Sequence, residues 1–174
     1  MYRRMLVPLD GSELAEGVLT CAKELAGRLD LDVILLYVYS PDALEFAPMY
    51  QAYVERAAET IQRQSQEVRQ ETGIQSESKP TEVRGELAVG YPAEEILRYA
   101  DENDIDLILM ATHGRSGIKR WALGSVADKV VRATKRPVML IRAKTAHSGE
   151  DKKGSLKKML VPLDGSVLSS VWVL

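Results

Sequence analysis

The chain has one cysteine and two histidines in 174 residues, and each scarcity closes off a class of chemistry. A lone thiol, Cys21, leaves no intrachain disulfide to form. Its neighbours Leu19, Ala22, Leu25 and Ala26 read as the setting of a small buried hydrophobe, not of a reactive nucleophile. His113 and His147 are too few and too far apart for a zinc site, and neither HExxH nor CxxC occurs. No apolar run approaches the ~20 residues of a membrane span and no N-terminal signal pattern is present. A cytoplasmic location with no membrane partner is therefore expected. A formal net charge of −2 gives no general pull on nucleic acid. There is no GxxxxGK(S/T) loop for a Walker-type NTPase and no GxGxxG after the first strand for a dinucleotide. The GxSxG elbow of a serine hydrolase is missing as well.

What is present is ordinary for a soluble globular chain: 45% apolar and 28% charged residues, enough length for one core. Arg4 to Asp10 (RMLVPLD) is a short apolar run closed by Asp10-Gly11-Ser12, which reads as strand end, turn and helix N-cap. A helix is expected from Glu13 to Arg28, burying Leu14, Val18, Leu25 and Leu29. Asp32 to Val38 is nearly continuous in apolar and β-branched residues, the pattern of a strand covered on both faces. Ser40 to Pro48 reads as a loop, Tyr50 to Thr72 as a long polar helix ended by Gly73. Glu77 to Leu87 alternates and suits a sheet edge. Gly90-Tyr91-Pro92 opens a helix to Glu102 that turns Ile96, Leu97 and Ala100 inward.

The stretch from Leu107 to Arg142 organises the rest. Leu107 to Ala111 is a buried strand, followed by a loop that gathers His113, Arg115, Lys119 and Arg120 around glycines. A helix then opens at Gly124-Ser125, with Val126, Val130 and Val131 at helical spacing. Pro137 stops it and begins a second buried strand, Val138 to Ile141. Five strands alternating with four helices predict an α/β fold: an open, doubly wound, five-stranded parallel sheet with helices on both faces. Ligands of such sheets sit at the carboxyl ends of the strands. A strand, a glycine loop and a helix N-terminus together form an anion site, so a phosphorylated small molecule is the expected ligand. Taken alone, Asp10 reads equally well as a cap of the first turn, Gly124-Ser125 also reads as a plain N-cap, and His113 reads as a locally bonded loop residue before it reads as a catalyst.

Residues 5–12 read MLVPLDGS, and residues 159–166 read MLVPLDGS again. The polar stretch 143–158 between them reads as a linker. The expected organisation is a complete domain over 1–142, a linker over 143–158, and the first strand of a truncated second repeat over 159–174.

VPLDGS after the first strand, GYPAEEIL, THGRSG and RPVMLIR, with Ala111, Gly114, Gly124 and Ser125 at the spacing G-x2-G-x9-G-(S/T), resemble the universal stress protein family in its ATP-binding subgroup. The likeness spans 1–142 and departs from the signature at Ala111, which replaces its first glycine. The resemblance implies ATP as ligand, with Mg2+ accompanying it, and a Rossmann-like fold. It implies Pro8 and Leu9 beside the adenine, Asp10 on the ribose hydroxyls, and Val38 meeting the base through its backbone. Met110 and Ala111 would line base and ribose. Gly114 and Gly124 would admit backbone amides to the phosphates, held by Ser125 and Val126 at the helix N-terminus, with Arg115, Ser116, Lys119 and Arg120 as further contacts. It also implies a homodimer paired through Val138–Ile141. The function expected is a stress or signalling module working through nucleotide-dependent conformation or dimerisation, with at most slow ATP hydrolysis. The alternative is a dimerisation module of the same fold that binds no nucleotide. A nucleotidyl transferase ranks behind both, since neither SGGxDS nor a HIGH-like signature occurs.

Overall fold

The structure, a computed structural model, describes residues 2–73, 81–113 and 123–142. Expectations for Gly114, Arg115, Ser116, Lys119 and Arg120, for the strand start at Glu77, for the linker 143–158 and for the repeated strand in 159–174 lie outside the described residues, as does the side chain of Leu14.

Five parallel strands form the sheet: β1 Arg4–Leu9, β2 Asp32–Tyr39, β3 Val83–Val89, β4 Leu107–Ala111 and β5 Val138–Ile141. Their order is β3-β2-β1-β4-β5, so the chain winds outward on one side of β1 and then on the other. β1 is the centre, pairing Arg4 with Asp32 through Leu9 with Tyr37 on one side and Met5 with Leu107 on the other. Alternate side chains of a strand face opposite ways. Met5, Val7, Val33, Leu35 and Leu109 therefore join one core with the helices α2 (Leu19–Leu29) and α3 (Ala47–Glu71). Leu6, Ile34, Leu36, Ile108 and Met110 join a second core with α4 (Pro92–Glu102) and α5 (Ser125–Ala133). Burial on both faces is why these strands read as unbroken apolar runs.

Several local expectations are corrected. The predicted helix 13–28 is two pieces, a four-residue α1 (Glu13–Glu16) and then α2. The chain tightens at Gly17, whose amide reaches the carbonyls of Glu13 and Ala15, and Val18 donates to Ala15 in turn. Glycine is a poor helix former, and the break sinks Val18 fully into the core. Leu29 is 51% exposed instead of buried. It ends α2 beside Asp30, whose left-handed backbone (φ 53°) turns the chain so that Leu31 enters the core in its place.

The expected loop 40–48 holds a 3-10 helix, Pro41–Phe46, and α3 starts at Ala47, with Pro48 in the first turn where its missing N–H costs nothing. In α5 the buried residues are Ala127 and Val130, while Val131 is 41% exposed, one step off the inward face. β5 is half-buried at all four positions, because as an edge strand it is covered by one neighbour only. β3 occupies the other edge, as its alternation predicted.

Candidate functional site

The strand order reverses between β1 and β4, so the helices leaving them diverge and open a crevice at their carboxyl ends. A cleft of about 340 Å³ lies there. Pro8 and Leu9 from β1, Val38 from β2, and Met110 and Ala111 from β4 line its apolar side. Asp10 stands at the β1 end, and Gly124, Ser125 and Val126 form the opposite wall. Nine of the fourteen residues to which the resemblance gives a role thus come together around one cavity; Gly114, Arg115, Ser116, Lys119 and Arg120 lie outside the described residues.

The loop after β1 is built around Asp10. Gly11 takes a left-handed conformation (φ 74°) that turns the chain back on itself. Asp10 Oδ1 then accepts from the Ser12 amide at 3.0 Å and from the Ser12 hydroxyl at 2.6 Å. Ser12 Oγ in turn accepts from the Ala15 amide at 3.2 Å, capping α1. Asp10 therefore serves the cap and lines the cleft at once; the two readings of it are not exclusive.

At the facing wall, α5 begins on Gly124, and no side chain among the described residues caps it. Its first helical bond runs from the Asp128 amide to the Gly124 carbonyl. The amides of Ser125, Val126 and Ala127 come before that bond and have no partner within the helix, and the helix dipole adds partial positive charge beside them. Gly124's own amide is committed, donating to the Thr112 carbonyl at 2.8 Å. That bond binds the helix start to the loop leaving β4, and Thr112 itself donates to the Ile141 carbonyl of β5 at 2.9 Å.

Other residues lining the cleft were not singled out as site residues. Leu36 and Tyr37 lie on β2 just before Val38, and Pro92 and Ile96 come from the first turns of α4. Their apolar character marks them as core, which Leu36 and Ile96 also are. Only the packing of α4 beside β2 brings them to the cavity. His113 lines it too, with Nδ1 at 3.1 Å from Thr112 Oγ1, the local bond expected of a loop residue. Next to the β1 end, the Tyr53 phenol is pushed well above its ordinary range by burial and by the charge of Glu16, with Asp10 adding to the shift.

Among the described residues no group of three or more His, Cys, Asp or Glu side chains could hold a metal ion. No helix among them is long and apolar enough to cross a membrane.

The sequence profile of the universal stress protein family matches residues 1–142. A universal stress protein of Methanothermobacter thermautotrophicus is 34% identical over 144 residues, covering 82% of this chain and 97% of the relative. The solved structure of MJ0577, a universal stress protein of Methanocaldococcus jannaschii, is 28% identical with a TM-score of 0.59, covering 84% of this chain and 99% of that one. A universal stress protein crystallised in complex with cAMP shares the fold at 23% identity and a TM-score of 0.59, covering 82% of this chain and 98% of that one. With a cleft at the switch point of a 3-2-1-4-5 parallel sheet and a profile match over the whole described domain, the chain belongs to the universal stress protein family.

Proposed function

We propose that the cleft binds an adenine nucleotide, ATP foremost, and that the protein works as a stress or signalling module whose conformation or dimerisation follows the nucleotide. The observation that carries this reading is the pairing of Asp10 with the N-terminus of α5, which no described side chain caps, across one apolar cavity. A base needs apolar walls, vicinal hydroxyls suit a carboxylate acceptor, and phosphates suit unpaired helix-terminal amides. A cavity of about 340 Å³ falls in the ordinary range for small-ligand sites. That a protein of this fold holds cAMP agrees with the reading.

Pro8, Leu9, Val38 and Met110 would flank the base, with Ala111 beside the ribose. Asp10 would take the ribose hydroxyls, and the amides of Ser125 and Val126 the phosphates. Mg2+ would arrive on the phosphate oxygens, since the described residues offer no cluster of their own for it. Hydrolysis is expected to be slow, far below the roughly 10 per second of a typical enzyme. A second copy pairing along the half-buried edge β5 would cover its open backbone groups.

The test is to denature the purified protein, identify any released nucleotide by mass, and titrate ATP into wild type and Asp10→Ala by calorimetry. Binding that weakens about tenfold or more in the variant, the scale of a lost charge-assisted hydrogen bond, supports the site. No released nucleotide and no binding by wild type would leave the dimerisation module that binds none.

A further inference from the structure

The proposed ribose contact depends on where Asp10 stands, and Asp10 sits on a turn that cannot hold itself. α1, the helix its loop feeds, has four residues, far below the length at which a helix is stable alone. Something outside must fix it. The far end of α1 is Glu16, whose amide donates to the Ser12 carbonyl at 3.0 Å, closing the turn that Asp10 and Ser12 begin. Its carboxylate accepts from the Tyr53 hydroxyl of α3 at 3.0 Å, across 37 positions of sequence.

Tyr53 is itself held by rings. It meets Tyr37 edge-on, with centroids 5.9 Å apart at 75°, and Tyr37 is stacked on Tyr50 at 4.5 Å. Tyr37 lines the cleft and stands in register with Leu9, the residue before Asp10. Tyr53 thus touches both supports of Asp10: the strand beside it and the helix after it.

We propose that Tyr53 is a positioning residue for Asp10, and that through Glu16 and α1 it sets the preference of the cleft for ligands carrying ribose hydroxyls. This rests on the nucleotide reading of the site. The elevated Tyr53 pKa, caused first by burial and then by Glu16, fits the same arrangement, since Asp10 contributes to it and so lies within electrostatic reach. A neutral phenol is the form that donates to Glu16.

The experiment compares ATP with 2′,3′-dideoxy-ATP, which lacks the hydroxyls that Asp10 would receive, by calorimetry on the full chain. Wild type is expected to prefer ATP. Tyr53→Phe keeps the ring packing and removes only the hydroxyl. It should lose about fivefold in affinity for ATP, the scale of one hydrogen bond, and little for the dideoxy nucleotide. Glu16→Ala, at an exposed position, should do the same, and the double variant should lose no more than either alone. Equal losses for both nucleotides would mean a general structural effect and overturn the proposal, as would unchanged ATP affinity in both variants. A wild type that binds both nucleotides equally well also overturns it, while leaving the nucleotide site standing. A wild type that binds neither overturns the site reading itself.

Discussion

Gly124 and Thr112 are joined by their backbones: the Gly124 amide donates to the Thr112 carbonyl at 2.8 Å, and a Cβ added at position 124 would stand 3.0 Å from that same oxygen. The start of α5 and the end of β4 approach so closely that a side chain at position 124 would force its neighbour to give by a few tenths of an ångström. The backbone of Gly124 (φ −60°, ψ 148°) is open to any residue. Space, not conformation, selects glycine here.

Gly124→Ala should therefore shift the first turn of α5 away from β4 by a few tenths of an ångström. The expected result is a loss of about 1 kcal/mol in stability and a several-fold weaker affinity for ATP, with larger effects for Gly124→Val. Denaturant unfolding and calorimetry on the two variants check both.

Gly27 makes a comparable contact far from the cleft. A Cβ there would lie 2.6 Å from the Ser65 carbonyl oxygen and 2.8 Å from Val68 Cβ, where α2 and α3 touch. Alanine gains up to ~1 kcal/mol in helix propensity, but overpacking a tight contact costs about 1–3 kcal/mol, and here part of the obstacle is backbone. Gly27→Ala should lower the melting temperature by several degrees and leave the ATP affinity of the folded protein unchanged.

Tyr53 couples stability to alkaline pH. Its folded pKa is raised from the ordinary 10.0, by burial first and by Glu16 next, so the fold favours the protonated phenol. The stability this group contributes is complete below its unfolded value near pH 10 and is lost as pH rises toward the folded value. Wild type should thus weaken above pH about 10, and Tyr53→Phe should flatten that part of the curve, measured by urea unfolding from pH 8 upward.

Asp106 acts at the acid end. Burial works to raise its pKa, but the amides of Arg3 and Arg4, at 2.7 and 3.0 Å from Oδ2, together with nearby positive charge that includes Arg136, outweigh it and the value falls below the ordinary 3.8. A depressed carboxylate contributes stability that is present above its unfolded pKa and lost as pH falls through the folded one. Below pH about 4 wild type should lose stability more steeply than Asp106→Asn, followed by acid titration of far-ultraviolet circular dichroism.

The five strands and their alternation with helices, β4 and β5 to the residue, the edge position of β3 and nine residues of the cleft were legible in the amino-acid sequence, whereas the split of the first helix and the 3-10 turn at Pro41–Phe46 were not. Short apolar runs, glycines and prolines act over a few neighbouring residues, and their pattern is written along the chain. The tertiary structure alone decided the rest. Leu29 and Val131 have the right spacing for burial, yet their exposure depends on where a helix ends or faces. Leu36, Tyr37, Pro92 and Ile96 read as core, and only the packing of α4 beside β2 makes them walls of the cleft. The bonds of Tyr53 to Glu16 and of Gly124 to Thr112 join positions with no local signal in common. Local propensity sets which elements form; contacts between residues distant in sequence exist only once those elements have packed, and they determine how the site is held.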